Sequence, residues 1–101
     1  MIRRHVLVSG HVQGVGYRYL ARKHADRLGI AGWVRNLPDG RVEAEIEGEE
    51  AAVATMLRRL EAGPPGSRVT GLEVAELPAA GPGERPAESA DERGGRFRIL
   101  R

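Results

Sequence analysis

Gly10-His11-Val12-Gln13-Gly14-Val15-Gly16-Tyr17-Arg18 joins an alternating apolar strand to a segment of helical period, and its reading decides the fold. The strand is read over about Arg3–Ser9, and Tyr17, Leu20, Ala21, His24 and Leu28 recur at helical spacing from about Gly16 to Leu28, where Gly29 stops the helix. Gly14-Val15-Gly16 begins like a dinucleotide fingerprint, but position 19 is Tyr where the third glycine belongs. The parallel βαβ unit that such a fingerprint requires is also missing. Instead Ile30–Leu37 reads as a strand and runs into Pro38-Asp39-Gly40, a strong turn signal. The next strand, Arg41–Glu47, therefore pairs with it as a hairpin.

That third strand alternates cleanly, with Val42, Ala44 and Ile46 on one face and Glu43, Glu45 and Glu47 on the other. A second helix follows: Glu49 and Glu50 favour its N-terminus, Val53, Met56, Leu57 and Leu60 form its apolar stripe, and Arg58 and Arg59 suit its last turn. Gly63-Pro64-Pro65-Gly66 ends it. A fourth strand spans about Arg68–Leu77, and a short last one, Arg96–Leu100, alternates Phe97 and Ile99. Pro78–Gly95, rich in Ala, Gly, Pro, Glu and Arg, has no periodicity and reads as a long mobile loop, a tolerated surface insertion more readily than a lid. The order β-α-β-β-α-β plus a closing strand predicts an α+β, ferredoxin-like split βαβ domain. Two helices are expected on one face of a mostly antiparallel sheet.

With 101 residues, the chain is expected to form a single domain, residues 1–101, around one modest core. No apolar run approaches membrane-spanning length and no signal-peptide core is visible, so no membrane partner is expected and the cytoplasm is the default address. The absence of cysteine excludes disulfides, a thiol nucleophile and a cysteine metal site. Sixteen basic and 14 acidic residues leave a net charge of only +2, and all but one of the basic residues are arginine. Several arginines sit beside acids, so the bias carries little functional weight.

The glycine loop, lying between a strand and a helix start, makes a generic anion cradle of backbone N–H groups. Arg18 is the odd element, because a cation in a helix's first turn opposes the macrodipole at a cost of roughly 0.3–1 kcal/mol. Either an anion occupies the loop and the guanidinium closes over it, or Arg18 points sideways into solvent. A P-loop is absent, and His5, His11 and His24 lack metal-ligand spacing, so no metal site is predicted. His24 reads as a half-buried packing residue and His11 as part of the loop's architecture. Ser9 has no base to activate it. On the neighbouring strand Asn36 offers both a donor and an acceptor and can orient a water without repelling a phosphate. Its local context, Asn36-Leu37-Pro38-Asp39-Gly40, equally suits a plain turn residue, and from chemistry alone the turn is the commoner account.

Gly10–Arg18 and Gly32-Trp33-Val34-Arg35-Asn36-Leu37-Pro38-Asp39-Gly40-Arg41-Val42-Glu43 resemble the two signature segments of the acylphosphatase family, in order and separation, and the order of elements resembles that family's fold across nearly the whole chain. The resemblance implies a small cytoplasmic hydrolase that cleaves carboxyl-phosphate mixed anhydrides to a carboxylate and inorganic phosphate, with no metal or organic cofactor. By motif position it implies that Arg18 binds phosphate and that Asn36 positions the attacking water. The amides of Gln13, Gly14, Val15, Gly16, Tyr17 and Arg18 then form the phosphate cradle. The chain departs from the family in its longer Pro78–Gly95 loop and in ending Phe-Arg-Ile-Leu-Arg rather than on an aromatic residue. A related domain begins large hydrogenase-maturation proteins, and a chain of one domain favours the free-standing enzyme.

Two rival classes remain at this level. Ferredoxin-like RNA binders stack bases on aromatics of the first and third strands; here those strands have none, and three glutamates on the third would repel a phosphodiester, so no nucleic-acid partner is expected. A small-molecule regulatory module would leave Arg18 and Asn36 without a role. The expected partners are a small acyl phosphate and the phosphate product, with a monomer as the default state.

Overall fold

The alternation that marks the third strand builds the centre of the sheet. In the computed structural model, which describes residues 1–78 and 97–100, the chain runs β1 (Ile2–His11), α1 (Tyr17–Leu28), β2 (Ala31–Asn36), β3 (Val42–Gly48), α2 (Glu50–Ala62), β4 (Arg68–Leu77) and β5 (Phe97–Ile99). The sheet order is β4-β1-β3-β2-β5, the split βαβ topology expected from the order of elements. β1–β3, β1–β4 and β2–β3 pair antiparallel, whereas β2–β5 pair in parallel, so the sheet is mixed. The segment 79–96, which holds nearly all of the long loop read from sequence, lies outside the described residues.

Val42, Ala44 and Ile46 are fully buried, and cross-strand register sets Val6 opposite Ala44 and Val8 opposite Val42. These side chains, with Val34 of β2 and Phe97 of β5, form one cluster with Tyr17, Ala21 and Ala25 of α1 and Val53, Met56 and Leu60 of α2. Both helices thus cover the same face of the sheet. α1 lies over β2 and β5, and α2 over β1, β3 and β4. The Tyr17 hydroxyl donates to the Leu60 carbonyl, tying the start of α1 to the end of α2, and burial pushes its pKa up.

β1 runs two residues beyond the Ser9 end read from sequence. Its register against β4 shifts between Ser9 and Gly10, and this irregularity lets Gly10 and His11 keep pairing with Val69 and Arg68 before the chain turns away. The strand therefore delivers the glycine loop to the rim of the sheet, next to the β2–β3 hairpin.

The three glutamates of β3 face away from the helices. Glu43 receives hydrogen bonds from His5 (2.8 Å) and from Arg35 Nε (2.6 Å), Glu45 accepts from Arg3 Nε (2.6 Å), and the Arg35 guanidinium lies 5.3 Å from the centroid of the Trp33 ring. Burial alone would raise the pKa of Glu43, but its bonds to His5 and Arg35 outweigh it and hold the carboxyl below its ordinary 4.5. A depressed folded-state pKa contributes stability that is present above that ordinary value and is lost as pH falls below it. Urea melts across the acid range should therefore show wild type losing more stability than Glu43→Gln. Equal acid sensitivity in the two would deny Glu43 that role.

Candidate active site

Between His11 and Tyr17 the loop is pinned by Val12, which is 1% exposed. Gly14 and Gly16 take left-handed φ of 76° and 79°, while no non-glycine residue among the described residues has a positive φ. From Gly14 to Tyr17 the sign of φ therefore alternates residue by residue. That alternation turns successive N–H groups toward one side, a concave nest suited to an anion. A Cβ on either glycine would meet nothing within 4 Å, so the glycines answer to backbone conformation and leave the concave side open.

The nest leads straight into the N-terminus of α1. Gly16 provides no side-chain cap, and the first turn holds no acid. The Leu20 N–H is the first to reach a helical carbonyl, that of Gly16, at 3.0 Å, which leaves the amides of Tyr17, Arg18 and Tyr19 without an intrahelical partner. An ordinary helix start satisfies such groups with Ser, Thr, Asp or Asn and favours an acid nearby. This one adds Arg18 instead.

Arg18 is half-buried, and its Nη1 donates to the Leu100 carbonyl at 3.5 Å, the long limit of a hydrogen bond. The Leu100 N–H in turn donates to Val34 O at 2.8 Å. The end of β5 thus links the guanidinium to β2. Along β2 side chains alternate, and Val34 and Asn36 sit opposite the core residues Ala44 and Val42. Asn36 therefore shares the helix-facing side of the sheet with Arg18, two residues beyond Val34.

Asn36 Oδ1 is buried and has no hydrogen-bond partner among the described residues. It does not build the turn. The hairpin is closed by Leu37 N–H to Arg41 O (2.8 Å), Gly40 N–H to Leu37 O (3.2 Å) and the Asp39 carboxylate, which accepts from Arg41 N–H (3.0 Å) and Nε (2.8 Å). Arg35, Asn36, Leu37 and Pro38 line an open groove.

Sequence reading assigned only the backbone amide of Gln13 to the site. Its side chain also reaches the hairpin, with Nε2 donating to Leu37 O (2.8 Å) and to Arg41 O (2.9 Å). Those acceptors lie 24 and 28 residues away, and no local pattern announces them. The histidines take other places. His5 is on the open face of the sheet and His11 is exposed. His24 is half-buried on α1, where desolvation, then Arg59, Arg27 and Lys23, lower its pKa. Among the described residues no group of three or more His, Asp or Glu is placed to hold a metal, and no helix is long and apolar enough to cross a membrane.

The model of the acylphosphatase family matches residues 4–85. An acylphosphatase of Anaeromyxobacter dehalogenans is 56% identical over 80 residues, covering 79% of this chain and 86% of the relative. One from Rubrobacter xylanophilus is 58% identical over 79 residues, 78% of this chain and 72% of its own. The crystal structure of the acylphosphatase from Bacillus subtilis superposes with a TM-score of 0.82 at 37% identity, covering all of both chains. The chain thus belongs to the acylphosphatase family, hydrolases that act on acyl phosphates.

Proposed function

We propose that this acylphosphatase works by direct attack of a positioned water on the phosphorus. The amides of Gln13, Gly14, Val15, Gly16, Tyr17 and Arg18 hold the phosphoryl oxygens, with a bidentate Arg18 guanidinium closing over them. Asn36 Oδ1 accepts a hydrogen bond from the water and holds its oxygen in line with the leaving group. As the water oxygen bonds to phosphorus, the bond from phosphorus to the acyl oxygen breaks and its electron pair leaves on the carboxylate. The proton lost by the water passes to a phosphoryl oxygen. A carboxylate is a weakly basic leaving group and needs no protonation, so the scheme asks for no acidic side chain.

The observation that carries this reading is the orphaned acceptor of Asn36. A buried polar atom left unbonded costs about 1–3 kcal/mol, and such a cost at a residue on the same side of the sheet as Arg18 fits an atom kept free for a substrate or its water. The reading is tested by turnover of benzoyl phosphate in water enriched in oxygen-18. The label should enter phosphate alone, and an acid quench during turnover should trap no phosphorylated protein. Label in benzoate would place the attack at the acyl carbon, and a trapped phosphoenzyme would require a side-chain nucleophile.

A further inference from the structure

The glycine loop and the β2–β3 hairpin are joined by one side chain. Both hydrogens of the Gln13 amide nitrogen are committed, one to Leu37 O and one to Arg41 O, and a primary amide has no others to give. The two acceptors belong to the paired ends of the hairpin turn, where Leu37 N–H itself donates to Arg41 O. Leu37 follows Asn36 in the chain, and Arg41 precedes Val42, the cross-strand partner of Asn36. Gln13 thus grips the hairpin one step from Asn36. Every other bond given above for this turn stays within the hairpin, so none of them fixes it against the loop.

We infer that the Gln13 side chain is a positioning residue for hydrolysis, setting the distance between the phosphoryl cradle and Asn36. The inference rests on the roles proposed for the cradle and for Asn36. One residue then contributes its backbone N–H to the cradle and its side chain to the strand end that holds the water. In-line attack is unforgiving of such geometry, because a misplacement of about 1 Å costs on the order of a hundredfold in rate. Phosphate binding on this scheme depends on the cradle and Arg18, not on the hairpin.

Benzoyl phosphate kinetics of Gln13→Met and Gln13→Glu, alone and combined with Asn36→Ala, test this. Each single variant should lose about ten- to a hundredfold in kcat while KM, and inhibition by inorganic phosphate, change less than about threefold. In the Asn36→Ala background the same substitutions should cost less than about threefold, since the group they position is gone. Gln13→Glu carries a further signature: its carboxylate cannot donate, but its protonated form can, so its kcat relative to wild type should rise as pH falls. Thermal melts establish which variants fold, and Gln13→Met carries the test if Gln13→Glu does not. Wild-type kcat in a folded Gln13 variant beside an inactive Asn36→Ala overturns the inference alone, as does a loss fully additive with Asn36→Ala. Wild-type kcat in Asn36→Ala overturns the Asn36 role and the inference together.

Discussion

Arg18→Ala should lower kcat/KM for benzoyl phosphate by about 3 kcal/mol, on the order of a hundredfold. The guanidinium stands at a helix start that has neither a side-chain cap nor an acid, where it opposes the macrodipole unless an anion lies between them. On the proposed mechanism it also meets the phosphoryl group in the ground state, so its loss should raise KM as well as lower kcat. Arg18→Lys should recover little of the loss, because an ammonium cannot make two parallel bonds to one phosphoryl group. The fold should tolerate both changes. The bond to Leu100 O is long at 3.5 Å, and the buried members of α1 are Tyr17, Ala21 and Ala25. A thermal midpoint close to wild type, with activity lost, separates chemistry from unfolding.

Asn36→Ala should carry a different signature. With the cradle and Arg18 intact, substrate still binds, so KM should change little while kcat falls by a similar factor of about a hundred. Stability should move the other way. Asn36 Oδ1 is buried and unpartnered among the described residues, so replacing the amide by an apolar group of similar volume removes a desolvation cost. Asn36→Leu should therefore match or exceed wild-type stability in urea melts, by up to about 1 kcal/mol, while being as inactive as Asn36→Ala. Stability held below its maximum at the reacting groups is the usual trade against activity. A clear loss of stability in Asn36→Leu would instead make the residue part of the hairpin's structure.

The parts of the fold governed by short-range pattern were legible in the chain. The period of two in Val42-Glu43-Ala44-Glu45-Ile46-Glu47 marks β3, and the Glu50-to-Arg59 polarity and stripe of α2 mark that helix. Pairings between distant segments were not. Which face of the sheet the glutamates occupy depends on Arg3, His5 and Arg35 arriving from two other strands. The extension of β1 past Ser9 depends on a register shift against β4, more than fifty residues on. At the site, the turn of the glycine loop into an uncapped helix could be read because loop and helix start adjoin in sequence. Asn36 could not be settled from its turn-like neighbours. Its place opposite Val42, on the helix-facing side, and its unpartnered Oδ1 set it apart from the turn that follows. The Gln13 side chain gave no signal in sequence because its two acceptors belong to the distant β2–β3 hairpin.

The division of labour between Arg18 and Asn36 is the centre of this account. The measurement that tests it most directly is kcat and KM for benzoyl phosphate in EDTA, taken for wild type, Arg18→Ala and Asn36→Ala under one set of conditions. The account predicts turnover by wild type with chelator present, a raised KM and lowered kcat in Arg18→Ala, and a lowered kcat at near-wild-type KM in Asn36→Ala. Wild-type kcat in either folded variant, or a rise in KM alone in Asn36→Ala, would contradict it.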